Sequence, residues 1–175
     1  MENKKEIPDI DPKKLFDDKN YSTIILNNEN TDEPIAKNKK KKVGLAKTIL
    51  ALIDSDKADL LKTLKDSSSQ GILIDLIINP ENKSYLSKLI ALCWESGLDF
   101  GKHASLFFDL SINEDVFVSL EALTVLEQIE NFSSKDDLEK GIELLKKGAK
   151  SKHANKNLME GTRLHLFEKL KSLNA

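Results

Sequence analysis

The chain has 175 residues, with 27 lysines and arginines against 29 aspartates and glutamates and a net charge of −2, a balance that points to neither a nucleic-acid nor a membrane partner. Its one cysteine, Cys93, excludes an internal disulfide framework and any zinc site built from several thiolates. Few glycines and prolines beside abundant Leu and Ile favour helices over a turn-rich β fold, and the length suits one core behind a polar arm.

Residues 1–42 are rich in Asn, Lys, Asp and Glu and end in a basic run, Lys37, Lys39, Lys40, Lys41 and Lys42. Such a composition buries too little apolar surface to offset the entropy of ordering, so the segment reads as a flexible arm with apolar islands at Leu15-Phe16 and Ile24-Ile25-Leu26. The opening residues lack the apolar stretch of a signal peptide, and nothing in the chain approaches the ~20 apolar residues of a membrane span. With the lone cysteine, this makes the cytoplasm the expected location.

From Val43 to the end, residues 43–175 carry apolar positions at helical spacing. Leu45, Ile49, Leu52 and Ile53 open the series, and Leu60, Leu61 and Leu64 mark a short second helix that Asp56 and Asp59 are placed to cap. Further helices are predicted over about 70–78, 80–96, 102–112, 114–131, 134–149 and 156–173, joined by loops too short for anything but antiparallel neighbours.

Laying residues 72–92 over 106–126 matches Asp75 with Asp109, Leu76 with Leu110, Ile78 with Ile112, Asn79 with Asn113, Leu86 with Leu120, Leu89 with Leu123 and Leu92 with Leu126. The repeating unit is a helical hairpin, with clear copies at about 70–96 and 102–131 and terminal helices over about 134–173. Asn79 and Asn113 are expected to be N-caps, Pro80 to take the first helical position, and Ile112 with Phe117 to form a hydrophobic staple. Leu76, Leu89, Leu110, Leu120 and Leu123 are the expected core. Two apolar rows, Val116-Leu120-Leu123 and Val118-Ala122-Val125-Ile129, are wider than one neighbour requires, whereas Leu138-Ile142-Leu145 and Leu166-Leu170-Leu173 are narrow stripes suited to an end.

Through these two segments and SLEALTVLEQI at residues 119–129, the chain resembles the armadillo/HEAT class of helical-repeat proteins. That resemblance implies a short stack of antiparallel hairpins (an α-solenoid) used as a binding surface, with a compact irregular helical bundle as the alternative.

No Gly-rich phosphate loop, G-x-S-x-G, H-E-x-x-H or zinc pattern occurs, so no catalysis, cofactor or metal is expected. His103, His153 and His165 have no partner at ligand spacing, and Cys93, in the row Leu86-Leu89-Ile90-Cys93, reads as a packed small hydrophobe. Charge is unevenly spread, at −4 over residues 1–36, +6 over 37–65, −8 over 66–131 and +4 over 132–175. The basic set holds a single arginine, Arg163.

The acidic repeats repel a phosphate backbone. The expected function is therefore a non-catalytic scaffold or adaptor whose central surface takes a basic or amphipathic segment of another protein. Trp94, Glu95, Asp99, Glu121 and Glu127 are the candidate contacts, since tryptophan is a frequent interface anchor. The alternative is nucleic-acid association through the run from Lys37 to Lys42 or through Lys146, Lys147, Lys150, Lys152 and Lys156.

Overall fold

A computed structural model describes residues 35–55, 57–65, 69–151 and 154–173. The described residues from Lys39 on belong to one compact unit. Every regular element among the described residues is helical: α1 Ile35–Leu52, α2 Lys57–Thr63, α3 Ser69–Ile78, α4 Leu86–Glu95, α5 Ala104–Asn113, α6 Val116–Gln128, α7 Lys135–Ala149 and α8 Lys156–Ser172. Two short 3₁₀ helices, Pro80–Tyr85 and Gly101–His103, lead into α4 and α5. Helix α1 starts eight residues earlier than the apolar spacing suggests and takes in the lysine run, because lysine is a good helix former once a helix is under way. Asp56 lies outside the described residues, while Asp59 sits in the first turn of α2.

Local chemistry sets the element ends. Asn79 Oδ1 accepts from the Glu81 N–H at 3.0 Å with Pro80 next in line. The expected helix 80–96 is split, however, because the segment after Pro80 winds as a 3₁₀ helix before α4 begins. Asn113 is not a cap. Helix α5 runs through it and its side-chain amide donates to Asp109 Oδ1 at 2.6 Å, while Asp115 caps α6 by accepting from the N–H groups of Phe117 at 2.9 Å and Val118 at 3.1 Å. With the cap moved two residues on, Phe117 falls in the first turn of α6 and stands 70% exposed, so the staple to Ile112 is not made. Ser134 caps α7 through the Asp137 N–H at 3.1 Å.

Helix α3 packs on α4, α5 on α6 and α7 on α8. Across these pairs α4 lies against α6, α6 against α8 and α5 against α7. The directions follow from which residues meet. Asp99 takes Asn131, the Gly101 carbonyl takes Ser133, Phe108 meets Gly141 and Ile112 meets Gly148, so α7 runs parallel to α5. Val116 meets Asn155, Glu127 meets Thr162 and Ile129 meets Lys169, so α8 runs parallel to α6. Lys83 with Glu114, then Trp94 with Glu121, set α4 parallel to α6 in the same way.

The core gathers at these junctions. Phe100, Phe107 and Phe108 are fully buried, and the first two meet edge to face with ring centres 5.8 Å apart. A Cβ on Gly141 would stand 2.1 Å from the Phe108 ring, so only glycine permits that approach of α7 to α5. Leu76, Leu89, Leu110 and Leu123 are buried, but Leu120 is 42% exposed. The row Val118-Ala122-Val125-Ile129 faces the core, whereas Val116 and Leu120 point out. Three neighbouring helices, α4, α5 and α8, already cover the inner face of α6, and the outer row exceeds what they reach. Leu166 and Leu170 are buried and Leu173, at the frayed end of α8, is exposed.

Leu89→Ala and Leu123→Ala are each expected to cost roughly 2 to 5 kcal/mol in urea unfolding, and Leu120→Ala less than about 0.5 kcal/mol. Gly141→Ala, which drives a methyl into the Phe108 ring, is expected to cost about 1 to 3 kcal/mol. Equal losses at Leu120 and Leu123 would overturn the assignment of the two faces of α6.

Candidate protein-binding surface

Helices α4 and α8 each lie against α6 and run parallel to it. On α6 the positions Phe117, Leu120, Glu121, Thr124 and Gln128 recur at helical spacing and none is buried. Asp115 fixes where this stripe begins, because it caps the helix that starts at Val116.

Trp94, on the last turn of α4, is partly buried, and its indole N–H donates to Glu121 Oε2 at 2.7 Å. That bond ties the ring to α6. Glu127, two turns on, accepts from the Thr162 hydroxyl of α8 at 2.7 Å. Two of the acidic candidates therefore serve as ties between neighbouring helices as well as outward charge. Glu95 follows Trp94 and is half-buried.

Asp99 stands apart from this group, because its carboxylate accepts from the Gly101 N–H at 3.0 Å and from the Asn131 amide at 3.1 Å. Its carbonyl accepts from the Gln70 side chain. Asp99 thus holds the loop before α5 against the loop before α7.

Phe117 and Leu120, together with Leu158 on α8, are exposed apolar side chains that pattern reasoning assigned to a staple or a core, or left unremarked. The usable signal was the excess width of the α6 apolar surface. A helix with more apolar rows than neighbours must leave one row outside.

Lys37, Lys39, Lys40, Lys41 and Lys42 all fall on α1, and of their side chains only that of Lys42 lies within the described residues. Asp75 of α3 titrates above the ordinary carboxyl range, chiefly because burial penalises its charge, while Lys42 pulls in the opposite direction. Burial likewise raises Asp109 against its hydrogen bond from Asn113. Cys93 is fully buried, its thiol donates to the Leu89 carbonyl, and burial pushes its pKa far up, which removes it from thiolate chemistry. His103 is half-buried and titrates low through burial and the nearby Lys102 charge. His165 is exposed, and His153 lies outside the described residues.

Among the described residues no three His, Cys, Asp or Glu side chains gather to hold a metal, and no helix is long and apolar enough to cross a membrane. No protein-family model, curated protein or solved structure matches the chain. The surface must be interpreted from its own chemistry.

The raised carboxyls make a pH prediction. A group whose folded pKa exceeds its unfolded value holds its proton more tightly in the folded chain, so the stability tied to it is greatest below the ordinary value of 3.8 and declines as pH rises through the folded pKa. Compared with an Asp75→Asn/Asp109→Asn double variant, the native chain is expected to lose stability as pH rises from below 3.8 through the raised folded pKa values in urea unfolding. A difference independent of pH would refute the assignment.

Proposed function

We propose that this chain is a non-catalytic interaction scaffold, a short stack of helical hairpins whose α4, α6 and α8 face receives a basic, amphipathic segment of another protein. The stack is supported by the parallel run of α4, α6 and α8 and by that of α5 and α7. It is supported also by cross-hairpin partners such as Trp94 with Glu121, Phe108 with Gly141 and Glu127 with Thr162. Stacked units of nearly constant length produce contacts of that kind.

The observation that carries the binding proposal is the outward stripe of α6, where Phe117 and Leu120 stand exposed beside Glu121 and Trp94. An amphipathic helix laid across the face covers the apolar pair and presents lysines or arginines to Glu121, Glu127 and Glu95. Apolar anchors supply most of the affinity in such pairings, and the charges supply orientation and rate. The segment 66–131, which carries a charge of −8, favours a cationic partner over an anionic one.

Trp94 is the only tryptophan, so its emission reports on this face directly. A helical peptide with leucines on one side and lysines on the other is expected to shift that emission saturably, and to bind several-fold more weakly when salt shortens the Debye length below ~8 Å. Phe117→Ala is expected to weaken binding about tenfold, or about 1.4 kcal/mol, with stability changed by less than about 0.5 kcal/mol. If an acidic peptide of the same apolar pattern binds equally well, or Phe117→Ala changes nothing, the proposal fails.

A further inference from the structure

The C-terminal hairpin holds a second feature that the scaffold reading does not use. Where the end of α7 meets the start of α8, a cleft of about 440 Å³ is lined by Lys146, Lys150, Lys156, Asn157, Glu160 and Arg163. Four cations thus face one carboxylate, on a chain whose total charge is negative.

The four cations are differently committed. Lys146 pairs with Glu143 one turn before it, at 3.1 Å. Arg163, the only arginine of the chain, is held by Glu160 through two bonds, Nε–H to Oε2 at 2.7 Å and Nη2–H to Oε1 at 2.6 Å. Its side chain is 19% exposed against 47% for Lys146, so the guanidinium is fixed in place as well as charged. Lys150 and Lys156 have no ion-pair partner among the described residues.

Opposite charges also act across the cleft. Glu160 titrates below the ordinary carboxyl range, first through its hydrogen bond from Arg163 and then through the charges of Arg163 and Lys150. Asn155, the residue before α8, donates its side-chain amide to the Val116 carbonyl and does not cap the helix.

We propose that this cleft binds the phosphoryl group of a small phosphorylated molecule. Two ammonium groups outside any ion pair among the described residues match the charge of about −1.5 to −2 that a phosphate monoester carries near neutrality. The guanidinium, held flat by Glu160 through Nε–H and one Nη2–H, keeps its Nη1 donors in the planar geometry that phosphate oxygens accept, which a lysine in its place does not. The volume falls within the range of small-molecule sites, roughly 300 to 1,000 Å³, and leaves room for an organic group beside the phosphate. A nucleic-acid backbone fits less well. The basic groups surround a concavity instead of following a strip, and a long polyanion bound there would meet the acidic segment 66–131.

The test uses the full chain and orthophosphate, titrated at constant ionic strength and followed by backbone amide shifts. Saturable changes centred on Lys150, Lys156 and Arg163 are expected. A Lys150→Gln/Lys156→Gln double variant, altering only exposed side chains, should weaken binding at least tenfold. Arg163→Lys, which keeps the charge and loses the fork, should weaken it several-fold. Lys135→Gln, at the far end of α7, should leave it unchanged, and the helical circular dichroism of each variant checks that it folds. The proposal is overturned if the shifts do not saturate, if the double variant binds as the native chain does, or if duplex DNA at equal phosphate concentration displaces orthophosphate, which would make the cleft a nucleic-acid contact. The cleft uses none of the residues assigned to the peptide-binding face, so either reading can fail without the other.

Discussion

The approach of α7 to α5, with Gly141 resting on the ring of Phe108, is the constraint on which the C-terminal half depends. The missing side chain lets the ring fill the space between two parallel helices, and any β-carbon there would have to displace it. Because α8 folds back on α7, the position of α7 also decides where α8 lies. Thr162 then reaches Glu127 and Asn155 reaches the Val116 carbonyl, so α6 acquires its neighbour on that side.

Buried polar groups set the register of these contacts. The Ser119 hydroxyl donates to the Ser111 carbonyl at 2.6 Å, and the Asn82 amide to the Leu76 carbonyl at 3.0 Å. Each such bond contributes only about 0.5 to 1.5 kcal/mol net, but leaving its partner buried and unsatisfied costs more. A slip of one helix along another is therefore opposed by lost hydrogen bonds as well as by poorer apolar packing. Lys169 adds a directional contact of the same kind by donating to the Ile129 carbonyl just beyond the end of α6.

The two proposed surfaces differ in how the fold makes them. The outward face of α4, α6 and α8 combines an apolar row with carboxylates that are partly engaged in holding helices together. The cleft of the last hairpin is assembled from cations on two helix ends that meet only because the connection between α7 and α8 is short. Charge separation along the chain, −8 over residues 66–131 and +4 over 132–175, thus becomes a separation in space between groups suited to a cationic and to an anionic ligand.

Sequence alone determined that the chain is helical, that Asn79 and Pro80 start a helical segment, and that Leu76, Leu89, Leu110 and Leu123 lie inside, because each of these follows from local propensity and from apolar spacing within one element. It could not place Leu120 or Phe117. Their spacing is equally good for the core, and only the number of helices that reach α6, together with the cap at Asp115, leaves them outside. Nor could it show that Asn113 would be overrun by α5, since capping by Asn or by the nearby Asp is locally almost equivalent. The pairing of Trp94 with Glu121, the use of Asp99 as a loop tie, and the meeting of Lys150, Lys156 and Arg163 around one cleft all join residues from different elements. Tertiary packing decided those, because distance between helices is fixed by how side chains fit and not by their order in the chain.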